Sequence, residues 1–241
     1  MSNTRASSPQ CALAVRSVSV VPAGPRGLLL SSVGQKVIMA VSGAIMVGFV
    51  TTHFIGNALV FAGPAAINGY SAMLHDSHGL LWVARAVLLI AVGLHIGAAL
   101  SLYAKNSGAR HERYRVKRDL ATNYAARTMI VSGPILLGFI VYHLAHLTFG
   151  FVPGNYEHSA TNVYSNIVRG FSIPWVAGLY VASMLALGFH LFHGAWSMLQ
   201  SLGVNHSAYN RRIMRAALGL TLFVTLGNIS IPLAVLLGIV R

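Results

Sequence analysis

Four histidines, His53, His95, His143 and His190, each lie inside a separate long apolar run. An imidazole in a bilayer is costly and marks a functional position by default; its chemistry there is metal ligation or proton transfer. Two of the runs repeat one another around the histidine. Met39-Ala40-Val41-Ser42-Gly43-Ala44-Ile45-Met46-Val47-Gly48-Phe49-Val50-Thr51-Thr52-His53 aligns with the segment from Met129 to His143, with eight of fifteen positions identical at an offset of ninety. A weaker echo relates Gly93-x-His95-x-x-x-Ala99 to Gly188-x-His190-x-x-x-Gly194 at an offset of ninety-five. The pattern reads as one duplicated two-helix unit, and its paired histidines suit two flat cofactors held between helices. Bis-imidazole ligation occupies both axial positions of a haem iron. The result is a low-spin b haem that passes electrons without binding oxygen.

The elements that must position these residues follow from composition. The 241-residue chain is 55% hydrophobic and 9% charged, which is the make-up of an integral membrane protein. Five apolar stretches of spanning length run at about 33–61, 80–104, 126–151, 172–200 and 214–240, since about 20 residues cross the hydrocarbon core. All five read as helices, because the polar–apolar alternation of a membrane barrel is missing. The fold class expected is an all-α bundle of five transmembrane helices, with helices one and two duplicated in three and four. Residues 1–31 form an N-terminal cytoplasmic arm and 32–241 the membrane domain.

Orientation follows the basic residues. Fourteen of the seventeen fall on one side: the N-terminal arm with Lys36, the segment from Lys105 to Arg127, and a last loop with Arg211, Arg212 and Arg215. Only Arg85, Arg169 and Arg241 fall on the other, so the N terminus is placed in the cytoplasm and the C terminus outside. The formal charge of +13 is accounted for by topology and anionic lipid, without nucleic acid. Cys11 stands alone, which excludes an intrachain disulfide, a thiolate metal site and covalent haem attachment through C-x-x-C-H. The first thirty residues lack the apolar core of a secretory signal and read as a surface-lying arm rather than a transit peptide.

Depth pairs the histidines. His53 and His143 lie about five residues beyond the middle of outward-running helices, and His95 and His190 about three beyond the middle of inward-running ones. His53 can therefore face His143 in the outer half, and His95 can face His190 in the inner half. Ala91 and Ala99 flank His95 by one turn, as Ala186 and Gly194 flank His190, leaving room for a porphyrin plane. Ser42, Phe49 and His53 share one helix stripe with the outer site, mirrored by Ser132, Phe139 and His143. The serines have either a cofactor or their own preceding turn to bond. Two rivals sit close by, His146 beside His143 and His193 beside His190.

The chain resembles the cytochrome b membrane anchor of succinate:quinone oxidoreductases and quinol:fumarate reductases, in its five-helix, di-haem form. The residues carrying the resemblance are Ser31-Ser32-Val33-Gly34-Gln35-Lys36, Met39 to Gly43, Thr52-His53-Phe54-Ile55-Gly56-Asn57, Leu94-His95, Val141-Tyr142-His143 and His190-Leu191-Phe192-His193-Gly194-Ala195-Trp196-Ser197. The resemblance spans most of residues 30–240 and supports His190 over His193. It implies an anchor in the cell inner membrane with no catalytic residue for the dicarboxylate. A flavoprotein subunit would oxidise succinate, an iron-sulfur subunit would relay electrons, and this chain would reduce quinone in the respiratory chain. In two-haem members the quinone is commonly menaquinone.

Further candidates each have a plainer reading. Ser32, Gln35, Lys36, Trp196 and Ser197 lie where a quinone headgroup would meet the iron-sulfur subunit. A helix cap, a snorkelling lysine and an interfacial tryptophan account for Ser32, Lys36 and Trp196 equally. Arg85 and Arg127 are candidates for haem propionates. Asn57, Asn68 and Tyr70 are candidates for haem contact or helix capping. His75, Asp76 and His78 gather in a solvated outer loop where they could exchange quinone protons. The polar stretch Gly108 to Tyr124 is expected to touch the iron-sulfur subunit. A carboxylate in the outer half of a helix, which handles quinol protons in some relatives, has no counterpart, so quinone reduction near the cytoplasmic face is favoured. Two other classes compete: another di-haem anchor, as of a hydrogenase or formate dehydrogenase, and a haem-free transporter whose histidines carry protons or metal. Helix count and the repeat weigh against the first. The second would normally place carboxylates inside the spans.

Overall fold

The computed structural model describes residues 25–108, 124–151 and 157–241, and among them every regular element is helical. In chain order these are α1 (Pro25–Leu30), α2 (Ser32–Asn57), α3 (Pro64–Asp76), α4 (His78–Gly108), α5 (Tyr124–His143), α6 (Val163–Phe171), α7 (Pro174–Ser201) and α8 (Ser207–Leu236). Five spans, Ser32–Ala62, Gly79–Gly108, Thr128–Thr148, Pro174–Ser201 and Ser207–Leu236, are long and apolar enough to cross a bilayer. The chain is an all-α, multi-pass membrane protein. Arm residues 1–24 and the polar segment 109–123 lie outside the described residues.

Local chemistry sets the helix starts. Ser31 Oγ accepts the Gly34 N–H at 3.0 Å, so the cap of α2 falls on Ser31 and not on Ser32, the first helical residue. Pro64 and Pro174 open α3 and α7, where the missing N–H costs nothing. Asn162 Oδ1 caps α6 by accepting from Ser165 N–H at 3.0 Å. His206 Nδ1 does the same for α8 by accepting from Ala208 N–H at 3.2 Å.

Two segments expected as loops are helical. Arg211, Arg212 and Arg215 ride on the first turns of α8, which begins at Ser207 rather than near 214. Hydropathy marks where hydrocarbon begins, whereas backbone hydrogen bonds carry a helix on into the polar medium. On the other side His75 and Asp76 end α3 and His78 opens α4, separated only by Ser77. His75 Nδ1 bonds the Ser71 carbonyl one turn back at 2.8 Å, which ties it to its own helix.

In the bundle α2 packs on α4 and α5 packs on α7; α7 joins the two pairs through α2, and α8 lies against both α7 and α2. A 3₁₀ turn (Ala58–Ala62), α3 and α6 close one end, where Val60, Ile67, Ile167, Phe171, Val176 and Tyr180 join one buried core with Ile231 and Val235 of α8. Each large apolar side chain buried there contributes about 1.5–3 kcal/mol. Asn68 ties α3 to α6, donating through Nδ2 to Asn162 Oδ1 at 3.1 Å and accepting from Tyr164 N–H at 3.0 Å. Tyr70 lies against Gly56, where an added Cβ would sit 2.6 Å from its ring. Asn68 and Tyr70 therefore have packing roles at this end. Pro232 is buried within α8; Asn228 donates through Nδ2 to the Val224 carbonyl at 2.8 Å, one turn before the carbonyl that proline strands.

The contact between α2 and α8 has no slack. A Cβ on Gly227 would lie 2.1 Å from Phe54 Cζ, and Phe54 is buried edge-on to Phe223 with ring centroids 5.1 Å apart. Gly227→Ala is expected to destabilise by about 1–3 kcal/mol through overpacking. Thermal unfolding of the detergent-solubilised protein checks this, with Phe54→Leu in the same chain expected to restore part of the loss.

Candidate functional site

The four membrane histidines meet as two pairs. His53 of α2 faces His143 of α5 with ring centroids 5.8 Å apart and planes at 90°. His95 of α4 faces His190 of α7 with centroids 6.2 Å apart and planes at 54°. A metal–imidazole bond is about 2 Å long and the nitrogen sits about 1 Å from its ring centroid, so two imidazoles on opposite sides of one metal have centroids about 6 Å apart. Both pairs stand at that separation. Among the described residues no three His, Cys, Asp or Glu side chains gather as a protein-only metal centre would need. Each pair brings two imidazoles together from different helices, a donor set that a cofactor carrying its own metal would need.

A serine hydroxyl meets Nδ1 on both sides of the second pair. Ser42 Oγ lies 3.3 Å from His95 Nδ1, and Ser132 Oγ lies 3.2 Å from His190 Nδ1. Ser42 donates its one proton to the Ile38 carbonyl at 2.7 Å, so towards His95 it acts as acceptor. The Met39 carbonyl, 3.1 Å away, accepts from the same Nδ1. That fixes the proton of His95 on Nδ1 and leaves the lone pair on Nε2, the nitrogen through which it could ligate. The serines thus serve the His95–His190 pair and not His53 or His143, whose stripe they share. Eleven residues, about 16 Å along the axis, separate Ser42 from His53. A stripe fixes a direction around the helix and not a depth along it.

The first pair is held by rings. Phe49 stacks on His53 at 5.2 Å and 21°, and Phe139 lies tilted against His143 at 5.8 Å. Each phenylalanine precedes its histidine by one turn, so the repeat in sequence recurs as a contact. The sites also have room. Gly133 and Gly194 are half-buried, yet nothing lies within 4 Å of where their Cβ atoms would be. Between α2 and α4 an apolar groove of about 340 Å³ runs beside Ser42, lined by Val41, Ile45, Val87, Ala91 and Leu94 among others. The groove touches none of the four histidines, so the fit of the residues to haem rests on the paired imidazoles and on the unfilled space at Gly133 and Gly194.

The rival histidines are placed differently. His146 is fully buried, and its Nδ1 lies 2.9 Å from Tyr180 Oη, within a cluster of Tyr142, Phe171 and Tyr180 rings. The Nδ1 atom of His193 is buried without a hydrogen-bond partner. Neither has a ring contact with a histidine of another helix among the described contacts.

Other candidates are scattered. Gln35 is buried and donates through Nε2 to the Leu29 carbonyl at 3.0 Å, while Ser32 and Lys36 are exposed. Lys105 Nζ donates to the Leu30 carbonyl, so α1 is fastened to both α2 and α4. Trp196 and Ser197 are half-buried on α7. The Arg85 guanidinium lies over the Trp82 ring at 5.0 Å, a cation–π contact one turn back on the same helix. The side chains of Arg127 and His78 lie outside the described residues. Asn57 is half-buried at the end of α2.

One residue absent from the sequence reading joins the site. Tyr180 of α7 places its hydroxyl 3.4 Å from His143 Nδ1 and 2.9 Å from His146 Nδ1. The contact spans 37 positions between helices, and no local motif announces it. No family model, curated protein or solved structure matches this chain.

Proposed function

We propose that this chain is the di-haem cytochrome b membrane anchor of a succinate:quinone oxidoreductase or quinol:fumarate reductase. His53 and His143 would hold one b haem and His95 and His190 the other; when bound, these haems supply one-electron transfer between an iron-sulfur subunit and membrane quinone. The observation that carries this is the pair of opposed imidazoles at 5.8 and 6.2 Å, each pair spanning two helices. The Nδ1 contacts support it: the Met39 carbonyl can only accept, which keeps the proton of His95 on Nδ1, and Ser132 lies against Nδ1 of His190 as Ser42 does against His95.

The partners follow from the polar surface. Lys36 at the start of α2, Lys105 at the end of α4 and Arg211, Arg212 and Arg215 at the start of α8 are all exposed on one side of the bundle. By positive-inside bias that side is the cytoplasmic one, with the C terminus outside, in the cell inner membrane. There the basic surface would meet anionic lipid and an iron-sulfur subunit that itself carries the flavoprotein. The quinone, menaquinone in this reading, would take electrons beside Ser32, Gln35, Lys36, Trp196 and Ser197, and Arg85 and Arg127 would neutralise haem propionates. A pyridine haemochrome spectrum of the purified chain tests the core of this proposal, with two b haems per chain expected. A haem-free protein that is folded by circular dichroism would overturn it and return the histidines to transport or packing.

A further inference from the structure

We infer that Tyr180 is a positioning residue for His143, and that His146 in turn sets Tyr180. The inference rests on the proposed haem ligation, and it concerns a hydrogen-bonded chain that crosses from α7 to α5. Tyr180 is buried, and its ring is wedged between Phe139 at 5.0 Å and Phe171 at 4.7 Å, both nearly perpendicular. That packing fixes where its hydroxyl sits. Directly after His143 the α5 ladder widens into a π turn over Leu144–Thr148, with Phe149 N–H bonded to the Leu144 carbonyl at 2.9 Å. Single π turns inside α-helices cluster at functional sites, because the extra residue re-aims a side chain. Here the π turn carries the fully buried His146, with Nδ1 directed at the Tyr180 hydroxyl.

Proton bookkeeping gives the chain a direction. If Nε2 of His143 ligates, its Nδ1 carries hydrogen and donates to Tyr180 Oη, 3.4 Å away. The phenol has one hydrogen of its own, which goes to the closer acceptor, His146 Nδ1 at 2.9 Å. His143 therefore donates to Tyr180, which donates to His146, and each bond polarises the next. An acceptor on the far nitrogen of a ligating histidine raises its basicity, which favours the more oxidised metal. His95 Nδ1 meets a serine hydroxyl and a backbone carbonyl and His190 Nδ1 a serine hydroxyl, so the two sites are tuned by different chemistry.

The test is redox titration with optical and ferric electron paramagnetic resonance detection on the full chain, comparing wild type, Tyr180→Phe and His146→Leu. Phenylalanine keeps the packed ring and removes only the hydroxyl. A positive shift in the midpoint potential of one haem is expected, with an altered ferric signal from that haem and no change in the other. His146→Leu should move the same haem in the same direction by less, since the tyrosine hydroxyl remains. Two haems with unshifted potentials in Tyr180→Phe, or equal shifts in both, would overturn the role of Tyr180 while leaving the ligation proposal standing. A wild-type chain without haem would overturn both.

Discussion

With two haems bound as proposed, His190→Ala should halve the haem content, from two per chain to one, while the protein still inserts and remains folded. His190 meets His95 at 6.2 Å, and its Nδ1 is held by Ser132. Alanine at 190 leaves His95 alone on one side of the site, and one imidazole on a freely exchanging macrocycle does not retain it through purification. The His53–His143 pair lies about 16 Å along the bundle from the level of Ser42 and shares no side chain with His95 or His190, so it keeps its haem. Two comparisons separate ligation from packing. His95→Ala should give the same single-haem protein as His190→Ala, and the double substitution should lose no more than either alone, because the members of a pair act as one unit. If His190 served only to pack, the single substitutions would lower the melting temperature and leave the haem-to-protein ratio unchanged. Loss of both haems together from a folded chain would show that the two sites are not independent, contrary to the pairing described.

The residues legible in advance are those whose signal repeats. Hydropathy placed the five spans because the bilayer imposes one length on all of them, and the offset of ninety tied Ser42, Phe49 and His53 to Ser132, Phe139 and His143. Depth along antiparallel helices then paired histidine with histidine. What was not legible depends on contacts that no period encodes. The serines fall on the same stripe as His53 and His143, and only the crossing of α4 and α7 past them decides that they serve His95 and His190. Tyr180 has no counterpart to betray it, since an offset of ninety-five maps it onto Arg85. The short helices α3 and α6 escape a search for spans because neither is apolar enough to register as one, and α6 is amphipathic, with Ile167 and Phe171 turned into the core and Arg169 exposed. The arginines of α8 were assigned to a loop for a related reason: a charge marks the edge of the hydrocarbon, not the end of a helix.

His143→Ala and His146→Leu should have opposite consequences although the two residues are three positions apart. An undistorted helix would turn them by about 60° relative to one another, leaving both as candidates for the same partner. The π turn separates them further. His143 faces His53 at 5.8 Å with its Nδ1 beside Tyr180, whereas His146 is enclosed by Tyr142, Phe171 and Tyr180. His143→Ala should therefore remove the haem held with His53 and leave the other, giving again one haem per chain but with the spectrum complementary to that of His190→Ala. His146→Leu should retain both haems and instead destabilise the fold by about 1–3 kcal/mol, the cost of disturbing a buried hydrogen bond. Haem stoichiometry and thermal unfolding on the same two samples read both effects. The reverse result, haem retained in His143→Ala and lost in His146→Leu, would move the ligand to the π turn. Tyr180 would then change from a support of one ligand to a support of the other, because its hydroxyl bonds both rings in the fold as it stands.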